Sequence, residues 1–208
     1  MNLIGSILFW FLFAFLLAAV EVEAEGKYGW AEKMPTWYRT RGLAGRLYGL
    51  VMGGKPLTGY HLFMFFLPLV AVHAGFFLGV RWSLSGELVV LARYFALAVL
   101  WDGLWFVLNP AYGIARFRRE RVWWHAKSHW VFGRFPIDYL VGWAISLGLA
   151  LAANKLGAPG AFQEQALLLA GLLLLTFVVI AFAPHYHWWH ANMRSRDDRQ
   201  DAGITHND

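Results

Sequence analysis

Cysteine is missing from all 208 residues. Disulfides, iron–sulfur clusters, thiolate zinc sites and attached c-type haem are therefore excluded as sequence-encoded features, and any metal must be held by nitrogen and oxygen. Charge is sparse as well: Asp, Glu, Lys and Arg make up 15% of the chain, against 59% hydrophobic residues and 18% aromatics. That balance is too apolar for an ordinary soluble domain and marks a membrane protein. No flavin or nicotinamide motif, no His-Glu-x2-His stretch, no internal repeat and no low-complexity segment is present. The formal net charge of +5 does not call for a nucleic-acid partner. The cations lie between apolar runs, where anionic headgroups and membrane topology account for them.

Five apolar runs are long enough to cross a hydrocarbon core: Leu3 to Val20, Tyr60 to Val80, Leu88 to Leu108, Ile137 to Ala153 and Ala166 to Ala183. The first is read as a span rather than a signal peptide, because no positive stretch precedes it and it ends in Glu21, Glu23 and Glu25. The expected fold is an all-α membrane bundle of about five helices in one domain, residues 1–192, followed by a polar tail, residues 193–208. With five spans, the segment between the first two, the segment between the third and fourth, and the tail share one side. Of the 18 Lys and Arg residues, 15 fall there. The positive-inside bias then puts the N-terminus outside and the C-terminus in the cytoplasm of a cell-membrane protein. Leu43 to Met52, which mixes apolar residues with Arg46, suits a short interfacial helix.

Chemistry-bearing side chains gather at that same side. His61 opens the second span, Asp102 lies in the third near its cytoplasmic end, Asp138 opens the fourth, and the acids Glu21, Glu23 and Glu25 close the first. His125 and His129, in Trp-Trp-His-Ala-Lys-Ser-His-Trp, are four apart and would share a face if that stretch were helical. His185, His187 and His190, in His-Tyr-His-Trp-Trp-His, form the densest cluster. Asn109 lies two turns beyond Asp102, and His73 is the one histidine expected deep in a span. A carboxylate inside a span costs several kcal/mol unless it faces a partner or a polar cavity, which makes Asp102 hard to read as inert. The candidate metal ligands are His61, His125, His129, His185, His187, His190, Asp102, Glu21 and Glu25. Glu23, His73, Asn109 and Asp138 are candidates to support them. Alternating Glu21, Glu23 and Glu25 cannot all face one partner from a helix.

The His-x3-His stretch and the His185–His190 trio resemble the histidine boxes of membrane-bound histidine-rich di-iron oxygenases, the fatty-acid desaturases and alkane or lipid hydroxylases. No adjacent His-His pair occurs, and Glu21, Glu23, Glu25, His61 and Asp102 stand where those families place their first box. The resemblance implies two iron ions that activate dioxygen for hydroxylation or desaturation of a lipid or hydrocarbon, with electrons from an external donor. Manganese, zinc and b-type haem suit the same nitrogen and oxygen donors. A non-catalytic metal- or haem-binding subunit, a transporter or an electron carrier is the alternative function. The sequence specifies neither the substrate nor an oligomeric state.

Overall fold

The structure, a computed structural model, describes residues 2–198, so His206 lies outside the described residues. Five helices are long and apolar enough to cross a membrane: α1 (Leu3–Glu25), α3 (Gly59–Phe77), α4 (Leu84–Leu108), α6 (Ile137–Lys155) and α7 (Ala161–Arg194). The local starts follow simple capping chemistry. Asn2, Thr58 and Ser83 precede α1, α3 and α4, and each side chain accepts a first-turn backbone N–H, from Gly5, His61 and Gly86 respectively.

Helix α4 is the axis of the bundle and packs against α1, α3, α6 and α7. Its burial runs from Ala92 through Ala96, Leu97 and Leu100, then covers almost every residue from Leu104 to Leu108. Small residues allow the closest approaches. A methyl group added at Gly142 of α6 would stand 2.5 Å from Val99 of α4, and one at Gly171 of α7 would stand 2.5 Å from Ile7 of α1. A buried polar bridge adds direction: Ser146 donates to the Ala92 carbonyl at 2.8 Å, and Gln165 donates to Ser146 at 2.9 Å. Among apolar helices, where lipid solvates apolar side chains as well as a neighbour does, such contacts set which faces meet.

The segments between spans fold over one end of the bundle. Between α1 and α3 lie a short ribbon pairing β1 (Tyr38–Arg39) with β2 (Leu57–Thr58) and the helix α2 (Gly42–Val51). Helix α2 exposes Leu43, Leu47, Leu50 and Val51 beside Arg46, as expected of a segment lying at an interface. Between α4 and α6 come a single helical turn, α5 (Gly113–Arg116), two 3-10 turns over Arg119–Arg121 and Trp123–His125, and a hairpin of β3 (Trp130–Val131) with β4 (Phe135–Pro136).

Three boundaries differ from the apolar runs. Helix α1 continues to Glu25, which puts all three acids on its last turns. Helix α7 has 34 residues and includes Pro184, so its roughly 51 Å of rise exceeds a hydrocarbon core of about 30 Å. The stretch holding His125 and His129 is not one helix. It stops at a 3-10 turn closed by Ser128 N–H on the His125 carbonyl at 3.0 Å, and the hairpin that follows turns at Phe132 and Gly133, both at positive φ. The expected sharing of a helix face by those two histidines is therefore absent.

Gly29 is the glycine on which the loop depends most. Its φ is +68°, and a Cβ there would fall 2.2–2.7 Å from three ring carbons of Trp124. Gly42 has a comparable φ of +77° with open space around it. Gly42→Ala should thus cost about 1–2 kcal/mol from backbone strain, whereas Gly29→Ala should lose about 1–3 kcal/mol more through overlap with the indole. Thermal unfolding in detergent, followed by tryptophan fluorescence, should show the larger drop in midpoint for Gly29→Ala; equal drops would contradict this packing.

Candidate metal centre

Helical geometry sorts the three acids of α1. Glu21 and Glu25 are one turn apart and point into the bundle, both 6% exposed, while Glu23 turns outward. Opposite them His61, 3% exposed, projects from the first turn of α3. Its Nε2 lies 3.7 Å from Glu21 Oε1 and 3.6 Å from Glu25 Oε1. One potential ligand atom from each of the three residues falls within 4.8 Å of the other two.

Those distances are too long for hydrogen bonds and fit ligands of one ion. Two donors about 2.1 Å from a common cation, at tetrahedral to trigonal angles, stand about 3.4–3.6 Å apart. Thr58 fixes the imidazole: its hydroxyl oxygen caps His61 N–H at 3.0 Å and sits 2.8 Å from His61 Nδ1. If Nδ1–H donates to that oxygen, the Nε2 lone pair faces two carboxylates. If Nε2 carries the proton instead, it has no acceptor in range. In the first case the Nε2 lone pair and the two carboxylates form a donor set suited to a cation.

A second group adjoins the first. Asp102 of α4 lines the same cavity as Glu21, Glu25 and His61, a space of about 30 Å³ walled by Trp30, Phe65, Trp101 and Trp105. From Asp102 Oδ2 the distance to His125 Nε2 is 3.4 Å, and on the far side of that ring His125 Nδ1 lies 3.6 Å from Asp138 Oδ2. His125 is 2% exposed and neither ring nitrogen makes a hydrogen bond. Its carboxylate neighbours are anchored from outside, since Tyr139 O–H donates to Asp102 Oδ2 and Ser128 O–H to Asp138 Oδ2. Trp101 and Trp105 line the cavity as well, and the buried indole N–H of Trp105 makes no hydrogen bond among the described residues.

The loop after α1 closes this arrangement. Trp30 stacks on His61 at 4.0 Å between ring centroids, and its indole N–H donates to the Pro56 carbonyl at 3.0 Å. Trp30 and Ala31 both hold positive φ, of 46° and 54°, and Glu25 Oε1 accepts the Ala31 N–H while Tyr38 O–H donates to the Ala31 carbonyl. A non-glycine pair held in that region is stored strain of the kind that gathers at functional sites. Lys55 is buried with Nζ 4.5 Å from the centre of the Trp30 ring; burial lowers its ammonium below the usual range, and attraction to Asp102 and Asp138 works in the opposite direction.

The remaining candidates go elsewhere. His129 and His185 are exposed. His187 donates from Nε2 to the Val107 carbonyl at 3.0 Å, and His190 pairs with the outward-facing Glu23 at 2.8 Å, with Arg194 3.6 Å from the same carboxylate. These contacts tie α7 to α4 and α1. Asn109 donates to the Gly26 carbonyl at 2.6 Å and accepts Ala111 N–H, so it joins the end of α4 to the end of α1. His73 sits apart, 2.7 Å from the Leu69 carbonyl and 3.0 Å from Glu87 Oε1, a link between α3 and α4. Tyr139, Lys55 and Trp30 were not among the sequence candidates. Thr58 also escaped notice, although a threonine three residues before a span-opening histidine is a recognisable cap.

No protein-family model, curated protein or solved structure matches this chain. The chemistry of the site is read from its own atoms.

Thr58 carries a measurable part of it. Thr58→Val should lose about 1 kcal/mol of stability through the missing cap and about tenfold or more in metal affinity through the freed imidazole, whereas Thr58→Ser should keep both. Unfolding midpoints and metal retained against a graded chelator separate the two effects; a valine variant that is less stable yet retains metal like the parent would show that Thr58 is only a cap.

Proposed function

We propose that the chain is an integral membrane metalloenzyme with two metal ions, best supplied as iron, at the basic end of its bundle. Two histidines and four carboxylates from α1, α3, α4, α6 and the α4–α6 loop form two adjoining groups, and this convergence carries the reading. Glu21, Glu25 and His61 would hold one ion and Asp102 with His125 Nε2 the other, while Asp138, on the Nδ1 side of that ring, would orient the imidazole. Paired histidine and carboxylate donors, with several carboxylates per histidine, are the ligand set of di-iron and di-manganese helical bundles. The set is richer in carboxylate than the histidine boxes the sequence resembles.

A resident ion suits the surroundings better than a travelling one. Beyond the cavity the bundle is closed by Ala14, Leu17, Val72 and Leu97, all buried and apolar. The cavity itself, at about 30 Å³, has room for a water or a diatomic molecule and none for a phospholipid headgroup. Dioxygen chemistry on a hydrophobic substrate therefore fits better than hydrolysis of a headgroup. In the hydroxylation we infer, a C–H bond, dioxygen, two electrons and two protons give a C–OH group and water. The metal pair, when bound, supplies the binding and reduction of dioxygen. The aromatic walls would exclude bulk water, and Tyr139 holds Asp102 in place. Two one-electron transfers from an acidic ferredoxin-type donor would suit the basic surface, which the positive-inside rule puts in the cytoplasm.

Purified protein should contain about two iron ions per chain and show no Soret band. Glu25→Ala, His61→Ala and Asp102→Ala should each lose metal, while His129→Ala and His185→Ala should retain it. Unchanged metal in the first three variants, or a stoichiometric haem spectrum, would overturn the proposal.

A further inference from the structure

On the side of α4 away from α1, helices α6 and α7 do not close over it completely. At the end where they are joined, the Ser146, Gln165 and Ala92 bridge clamps them to α4. Toward the other end a cleft of about 530 Å³ remains, floored by Val99, Gly103 and Val107 of α4 and walled by Trp143 and Leu173 among others. It extends over about 12 Å of α4, from Val99 to Val107. Its two hydroxyl-bearing residues turn their oxygens away: Thr176 donates to the Leu172 carbonyl at 2.8 Å and Tyr139 donates to Asp102. The lining is therefore hydrocarbon-like along its length.

Two features set this cleft apart from the general apolar belt. Tyr139 belongs both to the cleft wall and to the metal centre, because its ring faces the cleft and its hydroxyl reaches Asp102. The lining residues Ile114, Phe117 and Phe135 are flanked in the chain by Arg116, Arg118 and Arg134, all exposed. Arg116 and Arg118 are folded back on the Ala111 and Ala115 carbonyls, at 2.7 and 3.2 Å, close to Ile114. Among the described residues no carboxylate pairs with any of the three.

We infer that the α4–α6–α7 cleft binds the hydrocarbon chain of a long-chain fatty acid whose carboxylate head sits against Arg116, Arg118 and Arg134. The inference rests on the enzyme reading for its consequence, since it puts the chain of the substrate against Tyr139, next to Asp102. It does not rest on that reading for the binding itself. The apolar lining takes the chain, the arginine cations complement the head, and the alignment along α4 sets the chain parallel to the helices.

The test uses the full-length, metal-loaded protein and two photoreactive probes, a long-chain fatty acid carrying a mid-chain diazirine and the corresponding primary alcohol. The fatty acid should label residues within 99–107, 139–143 and 173–180 saturably. Arg116→Gln and Arg134→Gln, both surface changes, should each weaken fatty-acid labelling about fivefold and leave the alcohol unaffected. Gly103→Trp, which fills the floor of the cleft, should reduce labelling by both probes, with unfolding midpoint and metal content measured on the same samples. Equal labelling of Leu12 on α1 and Phe66 on α3 would show ordinary annular lipid and overturn the inference, as would arginine variants that affect both probes alike. Saturable cleft labelling of a protein that binds no metal would support the cleft while refuting the two-ion reading, so the two can fail separately.

Discussion

Carboxylates brought into an apolar bundle must be neutralised, and that requirement organises the structure. Glu21 and Glu25 turn inward from the last two turns of α1, Asp102 joins them from α4, and among the described residues only Lys55 brings a buried ammonium to the same end. Unpaired charges in such surroundings cost far more than any single packing contact returns. Protons on the acids or a shared cation would each meet the cost. The spacing of His61 from Glu21 and Glu25, 3.6–3.7 Å, suits a cation shared by the three groups, because groups that shared a proton would approach to hydrogen-bond distance.

The loops exist largely to keep this end dry and in register. Trp30 covers His61, Trp124 packs on Gly29, and Phe106 stacks against Trp124 at 5.8 Å, so that the α1–α3 and α4–α6 segments meet at this end of the bundle. Histidines on the long end of α7 serve attachment instead. Through His187 on Val107 and His190 on Glu23, α7 holds the ends of α4 and α1 beside each other, which in turn fixes where Asp102 and Glu25 point. A histidine-rich sequence has thus divided its imidazoles, with two facing acids in the interior and others bracing helices.

Much of this could be read from the residues. Apolar length located the five helices long and apolar enough to cross a membrane, and the one-turn spacing of Glu21 and Glu25 with Glu23 between them anticipated that at most two acids could serve one partner. The energetic cost of Asp102 within a span likewise pointed to a polar cavity. The stretch from Phe117 to Pro136 was harder to read, since its course depends on positive-φ turns at Phe132 and Gly133 and on tertiary packing rather than on periodicity. That is why His125 and His129 looked equivalent in sequence, although one is buried between two carboxylates and the other is exposed. Tyr139 and Lys55 were silent for a related reason. A tyrosine near a span end reads as an interfacial anchor and a lysine beside glycines as loop, and only the packing of distant segments reveals their partners.

X-ray absorption at the iron edge of the purified, metal-loaded protein addresses the central claim most directly. The account requires a shell of nitrogen and oxygen neighbours at about 2.0–2.2 Å and a second metal at about 3.5–4 Å, with the latter lost in Asp102→Ala. An isolated iron with no metal neighbour, or an absorption signature of porphyrin nitrogen, would contradict the idea that these buried acids are neutralised by a pair of cations.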